Sequence, residues 1–292
     1  MKKIILGSLL IASSMFAEVI TVLPYAGQID YDNSNTKSVK DKGTLLGFHA
    51  SVGTLKYLLE ADYSHISTEY KDSTLDDLSQ DDITVAYSKY YDNFMFRIGD
   101  HYINTNDTQL GDGNVIIASL GGYNWDGYDK YSYGIEGYYS LYSDGHDESY
   151  TKTTINILQF TPYVSFYKYF NKNMTNTIVL KMNYEIAPDY VEDTYTSYEI
   201  SDTFGYKKIF TTLKYYNGEM RSGIKDGGFT VFNTLDLLND GFNIKIGYYL
   251  TPNATLSISY GENNYEEFDE ATTSMLDEGT NSVTVATFSY TY

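Results

Sequence analysis

Apolar and polar residues alternate with a period of two along most of the chain, the pattern of β-strands whose two faces meet different surroundings. Residues 281–292 (NSVTVATFSYTY) show this alternation throughout. One face of this predicted strand carries Tyr292, Tyr290, Phe288, Ala286 and Thr284, and the intervening small or β-branched residues form the other. The C-terminal residues therefore predict an amphipathic β-strand.

Comparable segments of about ten residues recur from residue 19 onward. The clearest predicted strands are residues 44–54, 55–68, 115–124, 131–142, 153–170 and 175–186. One of the cleanest apolar stripes is formed by Phe242, Ile244, Ile246, Tyr248 and Leu250. One position conflicts with the pattern, because Asp100 falls on the apolar face of its strand. A bulge near Gly99 would relieve this conflict. If the sheet crosses a membrane, a position above the lipid-facing part of the sheet would relieve it as well.

The connections between predicted strands alternate between long polar loops and short turns. Residues 32–42 (DNSNTKSVKDK) form a long loop, whereas Asp92 and Asn93 form a tight turn. If the long loops lie at one end of the strands and the short turns at the other, both termini lie at the turn end. The number of strands is then even. We predict 14 strands, with 12 or 16 as alternatives. Residues 218–241 leave the count open, because 229–238 (FTVFNTLDLL) suits a further strand, half a hairpin or structure within a long loop.

The N-terminus predicts export. Lys2 and Lys3 precede an apolar stretch, residues 4–11 (IILGSLLI), and the small residues 12–14 (ASS) lead to residues 15–17 (MFA). This is the pattern of a secretory signal peptide, which is too short for a membrane-spanning helix. We place cleavage after Ala17, with cleavage after Ser14 as the alternative. The predicted domains are a signal peptide, 1–17, and one β-barrel domain, 18–292.

The composition favours a closed barrel over a soluble β-protein. The chain has no Cys and 33 Tyr, and no apolar run after residue 17 reaches the roughly 20 residues that a transmembrane helix needs. Tyr is suited to the aromatic girdles of membrane barrels. The less apolar strand faces carry mostly Gly, Ser, Thr and Asn, as a water-filled lumen requires. The predicted fold class is therefore all-β, a closed antiparallel transmembrane β-barrel.

The terminal strand resembles the C-terminal signature of Gram-negative outer-membrane β-barrel proteins, and the whole pattern is porin-like. The resemblance is carried by Phe288, Tyr290 and Tyr292, although the terminal residue is Tyr where Phe is commoner. It implies that these residues are an assembly signal for the barrel-insertion machinery and that the last strand closes against the first. It also implies an outer-membrane location in contact with lipid and lipopolysaccharide.

The chain is acidic, with a formal net charge of −19 that becomes two units more negative when Lys2 and Lys3 are removed. This charge makes nucleic acid an unsuitable partner. Acidic residues cluster in predicted outside loops, and the candidates for a cation-concentrating vestibule are Asp76, Asp77, Asp81 and Asp82. The alternative is that these carboxylates only keep exposed loops soluble.

Charges of both signs fall on predicted lumen positions. The pore-lining candidates are Lys56, Glu60, Asp62, Arg97, His101, Glu136, Lys181, Lys214 and Lys245. Opposed charges across a lumen favour small polar solutes; salt bridges between neighbouring strands are the alternative role.

The sequence predicts a porin-like channel for passive diffusion of ions and small polar solutes, mildly cation-preferring. The alternatives are a non-conducting barrel that acts as a surface receptor or adhesin, and a barrel hydrolase. The four His form no convergent catalytic motif with Ser and Asp, so no enzyme activity is predicted. No cofactor or metal motif is present, and either a monomer or a homo-oligomer is compatible with the sequence.

Overall fold

The computed structural model describes residues 19–32, 39–71, 76–107, 110–146, 151–190, 192–232, 234–269 and 274–292. The predicted signal peptide lies outside these residues. Within them, no helix is long and apolar enough to cross a membrane.

The described chain is almost entirely β-strand. In chain order the strands are β1 (Val19–Asp32), β2 (Lys40–Gly53), β3 (Tyr57–Tyr70), β4 (Leu78–Tyr90), β5 (Phe94–Thr105), β6 (Gly113–Asp126), β7 (Asp129–His146), β8 (Lys152–Asn171), β9 (Met174–Ile186), β10 (Thr194–Tyr206), β11 (Ile209–Arg221), β12 (Ile224–Lys225), β13 (Thr230–Val231), β14 (Leu237–Thr251), β15 (Ala254–Asp269) and β16 (Ser274–Thr291). A single 3-10 turn, Asp226–Gly228, joins β12 to β13.

Fourteen of these strands form one closed antiparallel barrel, and β12 and β13 pair only with each other. Closure occurs between the first and last strands, where Thr21 lies opposite Thr291 and Asp32 lies opposite Thr280. The predicted count of 14 and the predicted closure of the last strand on the first are therefore confirmed. A closed barrel leaves no unpaired strand edge, which is what a lipid environment demands of a sheet.

The two ends of the barrel differ. Short turns and both ends of the described chain lie at one end, here called the turn end. Tyr292 there donates its backbone N–H to the carbonyl of Ile20 at 2.8 Å. The longer connections lie at the opposite end, here called the loop end. Lys56 belongs to the turn before β3 and is exposed. It does not line the strand wall as predicted, because β3 begins two residues later than its pattern indicated.

Apolar side chains cover the outside of the barrel, as the alternation predicts. Ile246, Ile258 and Leu120 on the outer face are each more than half exposed. Asp100 also lies on this outer face, opposite Val85 of β4 and Ile116 of β6. The pairing of β4 with β5 runs through Gly99 without a register shift. The bulge that would have turned Asp100 inward is therefore absent from this pairing.

The connection between β11 and β14 differs from the others, because it folds into the barrel. Residues 222–232 and 234–236, here called the inner segment, contain β12 and β13 together with buried apolar residues such as Ile224 and Leu235. This arrangement resolves the open prediction for residues 218–241. Residues 229–236 belong to the long connection, and β14 begins at Leu237.

Candidate functional site in the barrel lumen

A tight turn forms the tip of the inner segment. Ile224 pairs with Val231 and Lys225 with Thr230, so the chain must reverse between Lys225 and Thr230. Asp226, Gly227 and Gly228 make this reversal with positive φ angles of 52°, 71° and 95°, a region that Gly adopts most easily. A Cβ atom on Gly228 would lie 2.2 Å from the side chain of Ile117. The glycine therefore permits close contact between the tip and the barrel wall.

Polar side chains of the wall bind the backbone of the inner segment. The side-chain oxygen of Gln159 accepts the N–H of Ile224 at 2.8 Å, and its amide nitrogen donates to the carbonyl of Ile224 at 2.8 Å. Glu185 accepts the N–H of Arg221 at 3.0 Å, where the chain leaves β11. At the other end, Asp236 forms an ion pair with Lys40. The segment is thus held along its length, including both of its ends.

Apolar packing fixes the inner segment against one side of the wall. Ile224, Val231 and Leu235 of the segment belong to a buried cluster with inward-facing residues of β5 to β8. The wall residues of this cluster include Ile103, Val115, Ile117, Tyr138, Tyr142, Ile155 and Ile157. These side chains fill the part of the lumen beside β5 to β8, so the open space of the lumen lies beside other strands.

Charged residues face one another beside the tip. Arg97 donates to Glu60 at 2.7 Å, and the Phe229 ring lies with its centroid 4.9 Å from the Arg97 guanidinium carbon. The His49 ring packs edge-on against the same Phe229 ring at 5.1 Å. His49 also lies 3.4 Å from Asp62, which accepts a 2.9 Å hydrogen bond from the Tyr25 hydroxyl.

Basic residues of the opposite wall meet the tip itself. Lys214 pairs with Asp226 at 2.5 Å. Burial inside the barrel acts to raise the pKa of the Asp226 carboxyl, but the charges of Lys214, Lys181 and Lys225 outweigh it and lower the pKa to about 2. The Lys225 ammonium lies 3.2 Å from the centroid of the Tyr216 ring. The tip is therefore held by charge as well as by packing.

The remaining predicted lumen residues also face inward. Lys181 pairs with Glu136 at 3.3 Å, and Lys245 lies on the inner face of β14 beside Thr212 and Ser259. His101 is hydrogen-bonded to Thr84 at 2.7 Å and lies 3.5 Å from Asp82. Although hydroxyl, imidazole and carboxylate stand in a row here, Thr84 and His101 each expose only 1% of their surface. A substrate cannot reach that hydroxyl in this conformation.

The four vestibule candidates separate into three environments. Asp76 and Asp77 are exposed at the loop end, immediately before β4. Asp81 lies on the outer face of β4, where it accepts from Tyr63 at 2.7 Å and lies 3.0 Å from His65. Asp82 points into the lumen and is 6% exposed. Grouping Asp81 and Asp82 with the mouth was therefore wrong, because β4 begins at Leu78 and successive strand residues face opposite sides.

The proposed assembly residues lie on the outer face of β16. Phe288 and Tyr292 are 39% and 69% exposed, and the Tyr290 and Tyr292 rings contact each other at 4.6 Å. Their positions are those of lipid-facing residues on the closing strand.

Two cavities remain on the side of the lumen away from the packed half. The first, here called the seam cavity because it reaches the β1–β16 junction, has a volume of about 570 Å³. Its walls come from β1 to β5, β16 and the tip, and include Leu23, Tyr25, Leu45, His49, Glu60, Asp62, Ser64, Ile66, Asp82, Arg97, Asp226, Phe229, Thr230, Val231 and Val285.

The second cavity, here called the mouth cavity, has a volume of about 240 Å³ and lies nearer the loop end. Ile29, Tyr31 and Lys40 are among its wall residues. Ile66, Thr230 and Val231 line both cavities, which therefore adjoin along the barrel axis.

Comparison with known proteins finds solved structures with a similar fold. No protein-family model matches the chain, and no curated protein matches it. Among solved structures, a Pseudomonas aeruginosa FadL homologue matches with a TM-score of 0.50 and 10% identity, over 96% of this chain and 91% of that chain. The Ralstonia pickettii toluene transporter TbuX matches with 0.52 and 8%, over 96% and 90%. The TodX deltaS2S3 mutant, a monoaromatic hydrocarbon channel, matches with 0.53 and 9%, over 94% and 90%.

The chain has the fold of an outer-membrane β-barrel protein. Its apolar exterior agrees with that fold and with a location in the outer membrane. In an outer-membrane barrel of this kind the short turns face the periplasm and the longer loops face outward. The mouth cavity then lies toward the cell exterior, and the seam cavity lies deeper in the membrane.

Proposed function

We propose that this outer-membrane barrel is a channel for passive diffusion of ions and small polar solutes, with a mild preference for cations. The observation that carries the proposal is the pair of adjoining cavities along the wall of β1 to β4. The inner segment occupies the other half of the lumen, so it narrows the passage and sets its chemistry. TbuX is a toluene transporter and the TodX variant a monoaromatic hydrocarbon channel, and these two neighbours support transport as a function of this architecture.

The preference for cations follows from the charges in the passage. Among the described residues, the seam cavity is lined by the carboxylates of Glu60, Asp62, Asp82 and Asp226, and Arg97 is its only lining Lys or Arg. Fixed carboxylates in a narrow lumen raise the local concentration of cations. The predicted contacts with lipopolysaccharide and with the barrel-insertion machinery belong to the same proposal, as partners of the outer surface and of the last strand.

Single-channel recording in a planar lipid bilayer tests the proposal. Ohmic openings and a cation-favouring reversal potential in a salt gradient are the expected results. The matched variant replaces the inner segment with a short Gly-Ser turn, which is feasible because Arg221 and Leu237 are already cross-strand partners. We expect this variant to conduct several times more current than the intact protein.

The rival function is that of a non-conducting surface receptor, and the filled half of the lumen favours it. The same recordings separate the two functions. If the intact protein and the variant without the inner segment are both folded and both silent, the channel proposal is wrong. Heat-modifiable migration in gels reports folding independently of current.

A further inference from the structure

The seam cavity combines two kinds of surface. Leu23, Leu45 and Val285 form an apolar wall contributed by β1, β2 and β16, and Phe229 of the inner segment extends it. Carboxylates of the next strands, β3 and β4, line the cavity beside it. Hydrated ions gain no free energy from contact with an aliphatic and aromatic wall. Such a wall is therefore not explained by the passage of hydrated ions alone.

The carboxylates of the cavity differ in their partners. Glu60 is paired with Arg97, and Asp226 with Lys214. In the described part of the chain, Asp62 and Asp82 have no Lys or Arg within 4.0 Å. Asp62 is bonded to Tyr25 and lies near His49, and Asp82 is bonded to Ser64 and Gln80.

Among the described residues, Arg97 is the guanidinium that lines the cavity, and its side chain is mostly covered. Phe229 lies over Arg97, and a Cβ atom on Gly227 would lie 3.7 Å from the guanidinium carbon. The Nε and Nη2 atoms of Arg97 are buried and have no hydrogen-bond acceptor. Arg97 borders the cavity as well, but its charge is balanced by Glu60, whereas Asp62 and Asp82 border the cavity without a Lys or Arg partner among the described residues.

We propose that the seam cavity binds small organic cations in which an ammonium group is attached to an apolar body. The ammonium group would lie against Asp62 and Asp82, and the apolar body would lie against Leu23, Leu45 and Phe229. A volume of about 570 Å³ accommodates such a molecule, since small-molecule sites usually have volumes of about 300–1,000 Å³. This inference rests on the proposed channel function, because the cavity is then a selective station on the diffusion path.

Calorimetric titration of the folded full-length protein in detergent, at low salt and pH 7, tests the inference with three probes. Phenethylammonium has both features, ethylammonium lacks the ring, and phenylacetate carries the opposite charge on the same ring. We expect saturable one-to-one binding of phenethylammonium and no binding of phenylacetate. Ethylammonium should bind about tenfold or more weakly, because it buries much less apolar surface.

Variants locate the site. Asp62→Asn with Asp82→Asn should weaken phenethylammonium binding about tenfold or more, since charge-assisted hydrogen bonds are lost. Asp81→Asn is the matched control, because Asp81 adjoins Asp82 in sequence but faces outward; its affinity should equal that of the wild type. Equal binding of phenylacetate and phenethylammonium, or unchanged affinity of the double variant, would overturn the inference.

The wild-type comparison of the three probes decides the question even if the double variant does not fold. Calorimetry also detects binding whether or not the barrel conducts current. Failure of the binding site and failure of the channel proposal are therefore distinguishable.

Discussion

The side-chain amide of Gln159 forms two hydrogen bonds with the backbone of Ile224, each 2.8 Å long, one as acceptor and one as donor. Gln159 belongs to the barrel wall and Ile224 to the inner segment, so this side chain joins the wall to the backbone of the segment. Gln159 is 1% exposed. Neither backbone group of Ile224 would find another partner easily if the amide were removed.

Gln159→Ala should therefore loosen the inner segment without opening the barrel. The loss of two hydrogen bonds to buried backbone groups should cost about 2–3 kcal/mol of segment binding. Single-channel recording should show more frequent or larger openings, and hydrogen exchange at the Ile224 amide should accelerate. Gln28→Ala is the control, because Gln28 is exposed on the outer face of β1. Unchanged exchange at Ile224 in Gln159→Ala would contradict the anchoring role.

Acid should release the tip of the segment. The pKa of Asp226 is lowered to about 2, so the stabilisation by its ion pairs is complete above an unfolded-state pKa of about 4 and is lost as pH falls through about 2. The Asp226 side chain is half exposed, at 50%, and lumen water and salt therefore weaken the effect. We expect channel conductance to rise as pH falls from 4 to 2. Asp226→Asn should conduct more at pH 7 and lack this acid-dependent step.

Mouth and lumen carboxylates should affect selectivity at different salt concentrations. Asp76 and Asp77 are exposed at the loop end, and screening at about 1 M salt shortens the reach of such charges to about 3 Å. Neutralising both as Asn should reduce cation preference in dilute salt only. Asp82→Asn should reduce it in dilute and concentrated salt alike, because Asp82 lies inside the lumen. Reversal potentials in KCl gradients measure both effects; equal salt dependence of the two variants would contradict this division.

Asp100 should lower the stability of the barrel. Its carboxylate faces lipid between Val85 and Ile116, and charged groups on the lipid face of a barrel are unfavourable. Asp100→Leu should raise the free energy of unfolding by about 1–2 kcal/mol in denaturant titrations in lipid vesicles. Asp202→Leu is the matched control, since Asp202 also faces outward but is bonded to Asn176. A gain of the same size in both variants would mean that the solitary position of Asp100 is irrelevant.

The outer face of β16 should control assembly. Replacing Phe288 and Tyr292 by Asp should prevent stable closure against β1, because an unclosed sheet edge in lipid leaves backbone groups unpaired at several kcal/mol each. Heat-modifiable migration and outer-membrane fractionation check this outcome. Ser289→Asp, on the lumen face of the same strand, should assemble normally. Normal fractionation of the Phe288 and Tyr292 variant would exclude these residues as an assembly signal.

Much of the barrel could be predicted from sequence because lipid and lumen impose opposite requirements on neighbouring residues. The stripe from Phe242 to Leu250 is an example, since each of its members lies on the outer face of β14. The start of β3 was less predictable. Leu55 and Lys56 fit the alternation of that strand, yet their backbone still belongs to the turn that precedes it.

The inner segment could not be predicted from alternation, because β12 and β13 have only two residues each. A signal was nevertheless present in the wall. Val115, Ile116 and Ile117 are consecutive apolar residues in β6, which means that both faces of the strand are apolar. An apolar lumen face requires something to cover it, and Asp226-Gly227-Gly228 offers the turn that a covering hairpin needs.

The position of the inner segment in the chain has a consequence for biogenesis. Most of the wall residues on which it packs, on β5 to β8, precede it in sequence, whereas β14 to β16 follow it and add Phe268 to the cluster. During synthesis the segment is therefore made after most of the wall strands on which it packs and before the strands that complete the barrel. The hollow side of the lumen is the side bounded by β1 and β16, which meet only when both chain ends are present. The order of synthesis thus matches the internal layout, with the strands of the filled half made before the last strand, whose pairing with β1 encloses the seam cavity.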